Sequence, residues 1–463
     1  MSKKTSFPVV RYAALKQLLS GAKENPWLAS TLLRRFKQHQ MQMMAYLKEM
    51  WLWLALTQPR RAIKMMKRLV SPLLMGSGLV LLLNAGFVHA ETITVVRTDD
   101  EMGNGDGCSL REAIVNANND DQSGSTDCAT GNGADTIILP AATINFSKAG
   151  RDEDLALTGD LDILTGTHVA IQGQGMDSSM IDAKQLDRVF HMHPDSTLTI
   201  IDTAITNGKV FTDFGGGIFN DEGALTVTNS KIFTNQVAYD GEGGGIGNRT
   251  ISGTVAMTLT NSFVLSNSAV DDGGGIYSVA EGNGLTEVTI VDSTISGNKS
   301  GSDGGGIGMQ NDDTGQGKLS ISGTTFRYNE TPSRGGVYIR AEDDGAMEVT
   351  ITASTFTQNQ AGSRGGALYI RAEDNGVTEV TITTSSFTQN QAGSSGGAIY
   401  SRTQNSGASQ MTISGTTIND NQAVSIEGGG IYQRTQNSAK SSITITTSTI
   451  SNNQTADDGG AIY

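Results

Sequence analysis

A Gly-Gly motif followed by an apolar residue recurs along most of this chain and limits what it can fold into. The apolar residue falls at Ile218, Ile246, Ile276, Ile307, Val337, Leu368, Ile399, Ile431 and Ile462, at gaps of 28, 30, 31, 30, 31, 31, 32 and 31 residues. A near-constant period of this size means a solenoid, a propeller or an array. A second motif keeps step upstream: Ile232/Asn235, Val264/Asn267, Ile295/Asn298, Phe326/Asn329, Phe356/Asn359, Phe387/Asn390, Ile418/Asn421 and Ile450/Asn453.

Each repeat also holds a short alternating run, such as Val349-Thr350-Ile351 or Val380-Thr381-Ile382. A period of two puts both apolar residues on one face of a strand. The other two motifs supply a second and a third strand, and Gly, Asn, Asp and Ser separate all three. No segment of the repeats has helical periodicity. The pattern predicts a parallel β-helix whose coils stack about 4.8 Å apart and share one core. A propeller would need four strands per blade and a period of roughly 40–45 residues. Stacking would place the asparagines in a buried ladder. The glycines would give positive φ or a close backbone approach at one corner.

The paired GGxI and (F/I)xxN motifs resemble the repeats of the polymorphic outer membrane protein family over roughly residues 204–463. That resemblance implies a right-handed, pectin-lyase-like parallel β-helix. It also implies export to the cell surface, outer membrane or medium, and an adhesin-like or passenger role toward a carbohydrate or a host or cell-surface partner. The alternative on the same fold is a polysaccharide lyase or hydrolase.

The preceding chain reads differently. Residues 1–90 hold 14 Lys and Arg against Glu24 and Glu49, whereas the remainder holds 19 against 45 acids, a balance of −26. Such an acidic body argues against nucleic acid as a partner. Residues 65–90 read as a signal peptide ending at Val88-His89-Ala90, which leaves no transmembrane domain in the mature chain; a single membrane anchor is the other reading. Residues 1–64 form a basic leader. It is a mis-called start, a membrane-surface helix or an extended signal. Residues 91–165 contain Cys108-Ser109-Leu110-Arg111-Glu112-Ala113, which is similar to the CSLREA domain of secreted bacterial β-helix proteins. Ser109 and Glu112 have capping-box spacing, and the helix they start is a candidate cover for the N-terminal end of the solenoid. In an oxidising compartment Cys108 and Cys128 would form a disulfide worth about 3 kcal/mol. Irregular first coils are expected over 166–203 and regular repeats over 204–463, the last of them incomplete at its C-terminal side.

The sharpest polar pattern in the repeats is Tyr-x-Arg: Tyr338/Arg340, Tyr369/Arg371, Tyr400/Arg402 and Tyr432/Arg434. Equal offsets predict two parallel rows on one outer face. Tyrosine faces would stack on sugars and arginines would hold acidic groups; a repeated, solvated surface is the plainer reading. Acidic residues gather before the glycines (Asp240/Glu242, Asp271/Asp272, Asp303, Glu427, Asp457/Asp458), where Ca²⁺ or simple solubility would account for them. No metal-ligand set and no catalytic residue is assigned. The five histidines, including His191 and His193, lie outside the regular repeats. Repetition without a singular cluster favours binding over catalysis.

Overall fold

The computed structural model describes residues 91–151 and 153–463; the leader and signal segments lie outside the described residues. Residues 377–405 make a representative coil. Val377–Thr383 is a strand with Val380 and Ile382 buried and Glu379 exposed, as its period of two requires. Thr384 takes left-handed backbone, φ 50°, and turns the chain. Ser386–Thr388 puts Phe387 inside, and Gln389, φ 56°, turns it again. Gln391–Ala392 is a two-residue strand, followed by the corner at Gly396, φ 66°. Ile399–Thr403 completes the coil, which closes at Asn405, φ 58°.

Equivalent strands pair in parallel and in register, building, among the described residues, sheets of 12, 11, 9 and 10 strands in the order the coil visits them, called here sheets I to IV. The fold is the expected parallel β-solenoid, with four strands per coil rather than three. The extra strand, Gln391–Ala392, is too short to show a period. Both glycines of the motif are sterically required. A Cβ at Gly396 would lie 2.5 Å from the Ile399 carbonyl oxygen, and one at Gly397 2.2 Å from Gly429 O of the next coil.

Like residues fall into columns. The rings of Phe326, Phe356 and Phe387 stack in the core at 4.6 Å, within 2° of parallel. The asparagines form the expected buried ladder. Asn390 Nδ2 donates to Asn421 Oδ1 (3.0 Å) and to Phe356 O (2.9 Å), and its backbone N–H donates to the same Asn421 Oδ1 at 2.9 Å. A hydroxyl ladder, not anticipated from the sequence, runs beside it. Ser354 N–H donates to Ser385 Oγ (3.1 Å) while Ser354 Oγ donates to Thr352 O (2.8 Å).

Stacking begins earlier than residue 166. Thr92–Thr94 pairs with Ala134–Ile138, which pairs with His168–Gln172, so residues 91–165 already feed sheet I. Long connections hide this from a search for a period. Helix α1 (Leu110–Asn119) starts in the capping box, with Ser109 N–H donating to Glu112 Oε2 (2.9 Å) and Glu112 N–H to Ser109 Oγ (3.2 Å). Its Leu110, Ala113 and Ile114 join the solenoid core. Arg111, 1 % exposed, pairs with Asp100 and donates to Gly159 O and Asp160 O. Cys108 and Cys128 form a disulfide with Cα atoms 4.8 Å apart.

Candidate functional site

Sheet IV carries the chemistry on its outer face. Along each strand the apolar residue after the glycines points inward, so the next residue and the one two beyond point outward. Register therefore aligns Tyr338, Tyr369, Tyr400 and Tyr432 in one column and Arg340, Arg371, Arg402 and Arg434 in the next. Both rows are in place, but the tyrosines are not exposed. Their exposures are 2, 0, 1 and 8 %. Their ring faces are occupied by each other, at centroid spacings of 5.5, 5.1 and 4.8 Å. Arg334 lies over Tyr338 and Tyr369, and Arg364 over Tyr400. Sugar stacking on these faces is thus corrected: the tyrosines form a second apolar column outside the main core.

The arginines differ from one another. Arg340 pairs with Glu342 and Arg371 with Glu373. Arg402 meets only the neutral Gln436 Oε1, at 3.4 Å. Arg434 is exposed, and among the described residues neither Arg402 nor Arg434 forms an ion pair. The carboxylate partners end where Glu373-Asp374 gives way to Gln404-Asn405 and Gln436-Asn437.

On the glycine side of the tyrosines runs the acidic column Glu242, Asp272 and Asp303, closed by Arg334, whose Nε donates to Asp303 Oδ1 at 2.9 Å. Burial, then the neighbouring Asp272 and Asp271, push Glu242 up to about 7. Burial, then Asp303, push Asp272 up to about 6.

The N-terminal end of the same sheet holds a cluster that the sequence did not disclose. Asp162, on Leu161–Ile163, is in register with His191, on Phe190–Met192. His193 follows two residues later on the same face. Asp162 Oδ1 accepts from His193 Nε2 at 3.0 Å and lies 3.5 Å from His191 Nδ1. Beside it is a cavity of about 400 Å³ lined by Arg151, Asp160, Asp187, Arg188, His191 and Asp213, among others. Burial pushes Asp160 well above the usual carboxylate range, against the pull of Arg188, and pushes Asp187 up too. Burial also opposes the charge of Asp162, but hydrogen bonds from His191, His193 and the Ala156 N–H outweigh it and hold that carboxyl low. The readable signals were Asp160-x-Asp162 and His191-x-His193, each with one member on a strand and the other directly beside its end. What joins them is a register set by irregular loops.

Three segments, residues 353–371, 384–402 and 447–463, match the model of the Chlamydia polymorphic membrane protein repeat. No curated protein and no solved structure matches the chain. Each matched segment starts at the corner before the hydroxyl ladder and runs through the Phe or Ile, the Asn and the glycines. The regular coils of this solenoid are therefore similar to polymorphic membrane protein repeats.

Proposed function

We propose that this chain is a surface-displayed, passenger-type β-solenoid that binds an elongated acidic partner along the arginine row of sheet IV. The observation that carries this reading is the in-register column Arg340, Arg371, Arg402 and Arg434, whose last two members have no carboxylate partner among the described residues. Similarity to polymorphic membrane protein repeats supports the surface location. The buried tyrosines hold the column rather than touch the ligand. Contacts repeated about 4.8 Å apart suit a polymer, because avidity grows with each coil engaged. An acidic polysaccharide presented by a host or neighbouring cell has that chemistry, and an adhesin-like role follows. The apolar face of α1 fits a cover over the N-terminal end of the core, which a solenoid needs.

The test is binding of polygalacturonate and of a sulfated glycan to the full chain. Replacing Arg402 and Arg434 together with alanine should weaken binding at least tenfold. Replacing the exposed Lys299 and Lys318, on other sheets, should not. Equal loss from both pairs would reduce the effect to net charge.

The cavity by Asp160 and Asp187 favours a second reading, a polysaccharide hydrolase or lyase. Burial pushes both carboxyls up, which suits a general acid, and Arg151 and Arg188 would hold an acidic sugar. Product formation from acidic polysaccharides, abolished by Asp160→Asn, would establish it.

A further inference from the structure

We propose that Asp162, His191 and His193, with Asp154 as a fourth donor, form a binding site for one divalent first-row transition metal ion, best suited to Zn²⁺. The site is independent of the arginine row; it shares Asp154 and His191 with the cavity lining but does not rest on any glycan chemistry there.

The strands build it from the inside out. Leu161, Ile163, Phe190 and Met192 are wholly buried and pin two adjacent strands to the core. Their alternation forces Asp162, His191 and His193 to the outer face. Register then sets Asp162 directly beside His191. Yet Asp162 is 0 % exposed, because the loop before the strand folds over it and the Ala156 N–H donates to its Oδ2 at 2.8 Å. That bond orients the carboxylate and leaves Oδ1 turned to the imidazoles. The His191 ring stacks on Phe219 at 4.9 Å and 12°, which restrains it.

The donor spacing fits a metal. All four ligand atoms lie within 4.8 Å of one another. Asp162 Oδ1 is 3.0 Å from His193 Nε2 and 3.5 Å from His191 Nδ1, and Asp154 Oδ1 is 4.0 Å from His191 Nδ1. Tetrahedral Zn²⁺ with bonds of about 2.0–2.1 Å needs donors roughly 3.3 Å apart. The observed separations bracket that value, so rotamer adjustments would seat the ion. Two imidazole nitrogens favour Zn²⁺, Co²⁺ or Ni²⁺ over Ca²⁺ and Mg²⁺, which take oxygen donors. Asp154 is exposed while Asp162 is buried, so one side of the site stays open toward the cavity.

The experiment uses the untagged full chain, dialysed against chelator and titrated with Co²⁺ and Zn²⁺. One equivalent of Co²⁺ should bind and give the visible absorption of a tetrahedral nitrogen–oxygen site, and Zn²⁺ should displace it. Saturating Zn²⁺ should raise the unfolding temperature. His193→Gln and His191→Ala should each weaken affinity at least tenfold, while His168→Ala, at an exposed histidine of a neighbouring sheet, should leave it unchanged. Circular dichroism of each variant separates lost binding from lost fold. Absence of stoichiometric binding, displacement by Ca²⁺, or unchanged affinity in folded His193→Gln would overturn the proposal and leave a hydrogen-bonded Asp–His cluster.

Discussion

The regular coils around residues 337–446 and the first coils around 161–221 share four sheets and one core, yet their outer faces differ in kind. In the regular coils the Tyr, Arg, Phe and Asn columns repeat themselves. Tyrosine stacks on tyrosine, and each asparagine bonds the asparagine of the next coil. In the first coils one column runs Asp162, His191, Phe219 and then Gly247. Unlike neighbours leave polar groups turned toward each other and toward a cavity. Repetition thus yields stability and an extended surface, while its breakdown yields a localised site.

That contrast can be broken at several points. The largest effect is expected in the core column: Phe387→Ala removes a ring stacked on Phe356 and should cost about 3–5 kcal/mol, read by denaturant unfolding. Retained stability would mean that the columns relax rather than hold. Asn390→Ala comes next. It removes the donor to Phe356 O and the acceptor of the Asn359 N–H, while Asn421 Oδ1 keeps the Asn390 backbone N–H and Asn359 Nδ2 keeps Phe326 O; a buried group left unsatisfied costs about 1–3 kcal/mol. Hydrogen exchange should rise over coils 359–421. Asn145→Ala, at a half-buried asparagine of the N-terminal coils whose side chain bonds Thr143 O two residues away, should change little.

A third test concerns pH. Glu242 and Asp272 have folded-state values raised above those of the unfolded chain. Between the two values the folded chain binds the extra proton, so stability falls as pH rises from about 4.5 through about 7 for Glu242. Glu242→Gln should flatten thermal stability between pH 5 and pH 8, and an unchanged profile would remove the acidic column from the account. The smallest effect is at a corner. Thr384 holds φ 50°, a conformation costing an L-residue about 1–2 kcal/mol, whereas asparagine tolerates it. Thr384→Asn should raise stability by up to about 1 kcal/mol in the same unfolding assay.

Much of the solenoid was legible because its information is periodic. Val380, Phe387, Asn390 and Leu368 each recur at a fixed interval, and stacked coils turn a sequence interval into a spatial contact. The two-residue strand at Gln391 escaped notice because two residues cannot show alternation. The hydroxyl ladder was missed because Ser and Thr are common at many other positions of these coils. The tyrosine row was placed correctly, but its burial was not foreseen. Whether an outward ring is covered depends on ring stacking and on Arg334 and Arg364, which arrive from the glycine corner.

The sequence by itself determined the period, the inward-facing residues, the asparagine ladder and the register of Tyr-x-Arg, since equal offsets in equal coils must stack. Only the tertiary structure decided that sheet I begins at Thr92, that the tyrosines are covered, and that Asp162 sits beside His191 and His193. Those contacts join segments separated by loops of unequal length. No period relates them, so only the folded backbone shows which residues meet.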